Sequence, residues 1–527
     1  MLDLSKISEA IRHEGGISRR LFLAYGAALA ALPKLAEQVG AADERVRLPG
    51  DPFTLGVASG DPIATGVVLW TRLAPKPLEI GGGMRPEPVA VSWELADDEG
   101  MKKVLRSGTV TAVPQLGHSV HVELQGLAPD RWYWYRFRAG DAVSPVGRTR
   151  TLPAADASPE KLRFAFASCQ NFEQGLFTAY EQMAKDDLDL VVHLGDYIYE
   201  YAGKDNLVRK HLGKEIESLD DYRTRHAQYR GDPLLQAMHL RTPWLVTWDD
   251  HEFQNNCAGA VSAEGVDPAE FLERRANAYQ AYYEMMPLPR RCLPRGPDMQ
   301  LYRQASFGRL AQFFVLDTRQ YRTDQPNGDR PAFLNRQALN PKNTLLGARQ
   351  RGWLQAGLLE SPTRWNVLAQ QVMMGMAAID RDGEWKYSMD QWCSAAHERM
   401  ALVKWIAERR VPNPVVLTGD IHSNRVNDLR IDDRNLKTPI VATEFVGSSI
   451  SSGGNGLAKP KTLDKLLGHN PFIRFHNTER GYVRCTVTPK EWRSDYVAVE
   501  DVLKPGGKVL TRATFAVEAG KPGAHLA

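Results

Sequence analysis

Leu190-Val191-Val192-His193-Leu194 runs straight into Gly195-Asp196-Tyr197-Ile198-Tyr199. A short apolar run that stops at a polar cluster reads as a buried parallel strand. The same punctuation recurs along the chain. Residues 162–167 end at Ser168-Cys169, residues 245–248 at Asp249-Asp250-His251-Glu252, and residues 415–418 at Gly419-Asp420-Ile421-His422. Ligand sites in such sheets lie beyond the carboxyl ends of the strands. One cleft is therefore expected to gather a thiol, several carboxylates, a phenol and two imidazoles. That donor set suits metal ions before anything else.

Each cluster has its own chemistry. Asp196, directly after a strand, can bridge two cations through its two oxygens. Tyr199 follows one helical turn later if a helix begins there. Deprotonating a phenol at neutral pH calls for a strong Lewis acid such as Fe3+. The plainer reading is an Asp that caps the next helix beside a packed Tyr. The run Asp249 to Glu252 sets ionisable groups side by side, and their repulsion favours a cation; a solvated turn is the alternative. Asn255-Asn256 offers neutral oxygens of the kind calcium accepts, and a simple turn fits them equally well. Asp420 and His422, two apart, share one face of an extended chain and so can serve two adjacent metals. As a thiolate Cys169 would bind a soft or highly charged metal; as a thiol it would be a small buried hydrophobe. Cys257, Cys292, Cys393 and Cys485 stand in no motif and read as structural. In Asp317-Thr318-Arg319-Gln320-Tyr321-Arg322, either Arg319 or Arg322 could bind a substrate phosphate, and salt-bridging the fold is the competing role. No phosphate loop of the Gly-Lys-Ser kind is present, which argues against a nucleotide-triphosphate motor.

Working outward, 527 residues exceed one ordinary domain. Hydrophobic content of 43% and charged content of 24% are those of a soluble globular protein. A net charge of +3 argues against nucleic-acid binding driven by bulk charge. Five widely spaced cysteines give no disulfide framework. Near the start, Ser18-Arg19-Arg20-Leu21-Phe22-Leu23 places paired arginines ahead of an apolar stretch, 21–32, with small residues at Gly40-Ala41-Ala42. Residues 1–42 resemble a twin-arginine export signal, which makes the twin-arginine machinery a partner and the location periplasmic or secreted. The stretch is too short and too broken for a stable membrane span.

Residues 50–153 read as a β-sandwich of immunoglobulin or fibronectin type. Strands are expected at 66–73, 89–95, 104–113, 118–127 and 132–139, and Leu127-Ala128-Pro129 ahead of Tyr133 resembles a tyrosine corner. Residues 153–160 form a linker. From 161 the pattern becomes α/β, with helices at 175–187, 268–286, 348–360 and 397–410 and further strands at 310–316, 367–372, 440–446, 483–488 and 494–499. The Ser/Gly-rich stretch 447–456 reads as a loop. After about 501 the chain turns polar and is expected to be loosely held, so the catalytic domain is bounded at 161–505.

Taken together, these residues resemble the PhoD-type alkaline phosphatases and phosphodiesterases of the calcineurin-like metallophosphoesterase superfamily, over nearly the whole chain. The resemblance rests on the twin-arginine segment and on Phe164-Ala165-Phe166-Ala167-Ser168-Cys169-Gln170-Asn171. It rests equally on the runs from His193 to Glu200, Thr247 to Glu252, Leu316 to Arg322 and Glu444 to Ile450, and on Arg480-Gly481-Tyr482. It implies a β-sandwich followed by an αββα phosphoesterase sandwich that carries Fe3+ and Ca2+. It further implies that Cys169, Tyr199 and His422 hold Fe3+, that Asp250 and Asp420 hold Ca2+, and that Asp196 bridges. Asn255 or Asn256 would serve calcium, and His251 would contact the phosphoryl group as the catalytic residue. The implied reaction is hydrolysis of phosphate monoesters or diesters by a metal-activated hydroxide. Two alternatives stand beside it: a phospholipase D-like phosphodiesterase acting on phospholipid or polyol-phosphate substrates, and a non-catalytic metal-binding adhesion protein. The chain departs from the family pattern at three places. Cys393-Ser394 replaces an acidic residue and Gly after Met389-Asp390-Gln391-Trp392. Arg425 stands where an aromatic is usual, and Phe472 where His follows Asn470-Pro471.

Overall fold

The computed structural model describes Leu48 and residues 50–527; the export-signal reading of 1–42 falls outside the described residues. The apolar runs form strands because almost every side chain on them is buried, whichever face it points to. They sort into two large sheets. In the first, Leu162–Ala167, Leu190–His193 and Trp244–Val246 lie parallel, with Gly481–Val487 and Glu491–Val499 continuing antiparallel on one side. In the second, Ala311–Val315, Trp365–Ala369, Pro414–Thr418 and Ala442–Val446 lie parallel, and Asn424–Leu429 and Ile473–Asn477 close one edge antiparallel.

Packing orders these sheets into layers. Phe164, Phe166, Val192 and Leu245 of the first sheet meet Phe313, Val367, Leu417 and Phe445 of the second in one apolar core. The first sheet's other face carries Ala165, Val191 and Trp244 against Tyr180, Tyr229, Met238, Tyr279 and Tyr282 of the helices. Those helices are Thr178–Met183, Leu219–Arg230, Pro233–His239 and Pro268–Met285. The second sheet's other face packs Phe314, Leu368 and Val416 on helices Gly347–Glu360 and Ala396–Glu408. The carboxyl ends of both parallel sets therefore open toward one place between the sheets.

The amino-terminal part forms the expected strands, Gly66–Arg72, Val89–Ala96, Val104–Ala112, Ser119–Leu124 and Trp132–Ala139. The Tyr133 hydroxyl accepts the Ala128 N–H at 3.0 Å, the bond of a tyrosine corner. This part is tied directly to the sheet that follows residue 153. Strand Val57–Ile63, which the sequence reading omits, joins the first sheet through a parallel bridge from Gly60 to Trp244. A Cβ on Gly60 would sit 2.7 Å from Pro287 and 2.8 Å from the Trp244 carbonyl, so only glycine permits the approach. Asp61 then takes Arg303 in a buried two-pronged pair, with contacts of 2.6 and 2.7 Å.

The carboxyl-terminal boundary also needs correcting. The tail after 501 is not loosely held, and the domain does not stop at 505. Strand Val509–Glu518 pairs antiparallel with Glu491–Val499, and Phe515 and Val517 enter the inter-sheet core. Ala513, Phe515 and Val517 alternate onto the core face, while residues 509–512 stay exposed.

Candidate metal centre

Each expected ligand sits where a strand gives way to a tight turn. Cys169, Asp196, Asp420 and His422 all adopt left-handed backbone, with φ of 58°, 54°, 62° and 50°. Non-glycine residues rarely hold that conformation, and where they do the strain clusters at functional sites. Here it turns four side chains from two different sheets toward one another.

Three overlapping groups result. Cys169, Asp196 and His422 each place one donor atom within 4.8 Å of the others; so do Asp196, Asp250 and His251, and Asp249, Asp250 and Asp420. Asp196 is common to the first two and Asp250 to the last two, so Asp196 stands where a bridging carboxylate would. Tyr199 completes the first group: its hydroxyl lies 3.0 Å from Asp196 Oδ2, 3.2 Å from His422 Nε2 and 2.7 Å from the Ser452 hydroxyl.

The electrostatics call for positive charge. Asp196 Oδ1, Asp249 Oδ2 and Asp250 Oδ1 are buried with no hydrogen-bond partner. Burial, reinforced by Asp250 and Glu252, pushes the Asp196 carboxyl up to about 8, although His251 opposes the shift. Burial and then Asp390 push Asp420 up to about 8. Burial, reinforced by Asp196, drives the Cys169 thiol and the Tyr199 phenol well above their ordinary values. Buried carboxylates with free oxygens, beside a thiol, a phenol and an imidazole, fit cations: mixed S, N and O donors for a highly charged one, oxygens alone for a hard divalent one.

Neighbours hold the ligands in place. Glu252 accepts the backbone N–H groups of Asp196, Tyr197 and Asp249 at 3.0, 2.5 and 2.7 Å, tying two ligand turns together. Arg480 donates to the His422 carbonyl at 2.7 Å. Gln391 donates its amide to Asp420 Oδ2. His251 Nδ1 lies 2.8 Å from Glu200 Oε2, and its ring lies tilted against Tyr199 with 4.1 Å between ring centres. Burial alone would lower the His251 imidazole, but Glu200, Asp250 and Asp196 hold it well above its ordinary value.

Asn255 and Asn256 enter differently from the other expected ligands. Asn255 gives its backbone N–H to Glu200 at 2.8 Å, and Asn256 gives its own to Asp250 Oδ2 at 2.6 Å. The Asn256 side-chain N–H group is taken by Asp329, a contact that does not use its amide oxygen. Glu200, Gln391 and Ser452 are not among the site residues expected from sequence, and Asp249 and Glu252 enter there only as members of the ionisable run. Adjacency to Tyr199 is the available signal for Glu200; Gln391 and Ser452 are brought in only by tertiary folding.

Arg319 needs correction. It is fully buried, and its guanidinium donates to Asp249 and to both oxygens of Asp390, with Asp250 and Asp420 at 3.5 and 3.8 Å. A side chain so enclosed does not reach substrate; it neutralises the carboxylates from beneath. Burial would raise the Asp390 carboxyl, but Arg319 and Arg322 hold it well below the usual carboxylate range. Removing one partner of such a pair costs about 3–5 kcal/mol. Asp390→Asn should therefore lower stability at neutral pH. Because the folded-state carboxyl is depressed, its contribution is present above about pH 4 and lost as pH falls further. The gap between wild type and variant should narrow in acid, as denaturant titrations at pH 7 and pH 3 would show. An equal gap at both pH values would refute the assignment.

A family model described as PhoD-like phosphatase matches residues 164–496, and one described as PhoD-like phosphatase, N-terminal domain, matches residues 39–153. Over 530 residues the chain is 48% identical to alkaline phosphatase D of Bacillus subtilis (strain 168), which covers 99% of this chain and 91% of that relative. A solved structure of PhoD superposes with a TM-score of 0.89 at 50% identity, covering 91% of this chain and 93% of that one. Given a family model across most of the catalytic part and a relative this similar along almost the whole length, the chain belongs to the PhoD-like phosphatase family.

Proposed function

We propose that the centre holds Fe3+ and Ca2+ and that the chain uses it on phosphate monoesters, diesters or both. That the chain is a phosphoric ester hydrolase of the alkaline phosphatase D kind follows from its family and its relative. The finer reading rests on one observation: three overlapping ligand groups share Asp196 and Asp250 and leave buried carboxylate oxygens unpaired. Cys169, Tyr199 and His422 would take Fe3+, and Asp250 and Asp420 would take Ca2+ with Asp249 beside them. Asp196 would bridge, and Asn255 or Asn256 would serve the calcium. We read the layered packing as the αββα sandwich of a metallophosphoesterase, with the amino-terminal strands as a β-sandwich fused to its edge.

Bound there, such cations would spread the charge of the phosphoryl oxygens and lower the pKa of a water. The chain's own contribution is placement and proton control. Glu200 fixes the His251 ring by accepting at Nδ1, which leaves Nε2–H free to donate to a phosphoryl oxygen as negative charge builds. Arg319 and Glu252 keep the carboxylates in position without touching substrate. No side chain need act as nucleophile, so no covalent phosphoenzyme is expected. We also read residues 1–42 as a twin-arginine leader that delivers the protein to the periplasm or beyond. Among the described residues no helix is long and apolar enough to cross a membrane.

The test combines metal analysis with turnover of an aryl phosphate. Chelation should abolish activity, and Ca2+ should restore it. A phenolate and a thiolate on Fe3+ should colour the protein, and Tyr199→Phe should shift or remove the visible band. Active enzyme that contains zinc alone would sink the Fe3+ assignment. Comparing mono- and bis-aryl phosphates then separates monoesterase from diesterase.

A further inference from the structure

Arg425 is a buried guanidinium with no carboxylate partner among the described residues. It is 8% exposed, its Nε has no hydrogen-bond partner, and Nη1 meets the Met373 thioether at 3.5 Å. The acidic group on the neighbouring strand, Glu444, is already occupied by the N–H groups of Met374 and Gly375, the Thr418 hydroxyl and the Asn427 amide. Directly opposite Arg425 in the antiparallel pair of Asn424–Leu429 with Ile473–Asn477 stands His476. Opposed residues share a sheet face. His476 is 7% exposed, and its Nδ1 also lacks a partner. Buried polar groups are nearly always paired. Two adjacent unpaired nitrogen groups, one of them permanently cationic, mark a place that suits an anion.

The place adjoins the metal centre. Arg425 follows His422 by three residues, a backbone reach of at most about 10 Å. Met373, which its guanidinium touches, donates its N–H to Gln391, and Gln391 donates to Asp420. Met373 also packs in an apolar cluster with Phe472, against Ile421, which stands between Asp420 and His422.

We propose that Arg425 and His476 form a subsite for a second phosphate group of the substrate, one unit removed from the phosphorus under attack. The proposal rests on the hydrolase reading above and adds to it a preference among esters. Phosphate fits because a guanidinium and an imidazole N–H can together engage several of its oxygens, with the Met373 thioether beside the guanidinium.

The test compares propane-1,3-diol bisphosphate with propyl phosphate as substrates of the full metal-loaded chain. Wild type should show the higher kcat/KM on the bisphosphate. Arg425→Met should cut the ratio of the two kcat/KM values by roughly 10–100-fold, the worth of a charge-assisted contact, mainly through KM for the bisphosphate. Arg425→Lys should recover part of the ratio, and His476→Gln should lower it independently. Removal of an unpaired buried cation relieves a desolvation cost, so the Tm of Arg425→Met should hold or rise. A ratio unchanged in both variants, or both substrates falling together with a lower Tm, overturns the subsite. Wild type that hydrolyses propyl phosphate without preferring the bisphosphate refutes the subsite alone. Wild type that hydrolyses neither removes the hydrolase reading and the subsite with it.

Discussion

Asp196→Asn should empty the centre and stop hydrolysis in the same step. Asp196 belongs to both the Cys169–His422 group and the Asp250–His251 group, so its loss weakens every cation position it touches. Loss of an outer partner alone costs roughly 10–100-fold in metal affinity or activity, and a shared inner ligand should cost more. The substitution is a clean one. Asn tolerates the left-handed backbone that Asp196 adopts at φ 54°, so the turn need not move. Nor should the metal-free fold suffer. Burial makes the Asp196 charge unfavourable, so a neutral amide of the same shape is as easily housed. Lost activity with an unchanged metal-free Tm would therefore report the centre and not the fold. Metal stoichiometry beside kcat on an aryl phosphate decides the matter: a variant that keeps its full metal content but loses turnover would show that Asp196 does not bridge.

The strands of this fold were legible because they are apolar throughout, and the site was legible because polar residues interrupt them at one end. Cys169, Asp196, Tyr199, Asp250, Asp420 and His422 could all be found that way, and the fold brings them together. The same signal misleads at Arg319. It follows an apolar run just as the ligands do, yet its charge is consumed by Asp249 and Asp390 beneath the site. No sequence pattern separates a charge aimed into a cleft from one aimed under it. Helix Leu219–Arg230 escaped for a related reason. It buries Arg225, His226 and Arg230 along with Tyr222 and Tyr229, so it shows no apolar stripe. Strand Val57–Ile63 escaped because Ser59-Gly60-Asp61-Pro62 has the composition of a turn. In the fold Gly60 serves close approach between strands and Asp61 serves Arg303. The strained turns were invisible too, since left-handed backbone at Cys169 or His422 is imposed by the tertiary fold and not by residue preference.

His251→Ala should separate catalysis from metal binding. His251 stands in a group with Asp196 and Asp250, so geometry alone admits it as a ligand. Its other contacts favour a different role. Nδ1 faces Glu200 at 2.8 Å, the ring rests on Tyr199, and Nε2 has no hydrogen-bond partner among the described residues. Glu200, Asp250 and Asp196 push the imidazole above its ordinary value despite burial, a setting that suits a hydrogen-bond donor better than a ligand. A donor aimed where charge builds in the transition state is worth about 10²–10³-fold in kcat. The alanine variant should lose that much while retaining its metals. Glu200→Gln should fall between wild type and His251→Ala, because it keeps a contact to Nδ1 but gives up the carboxylate that holds the ring in its cationic, oriented form. Metal content separates the two roles, since a ligand would take its cation with it when removed. If His251→Ala loses metal in proportion to its activity, then the imidazole belongs to the cation sites and the phosphoryl donor must be sought elsewhere in the cleft.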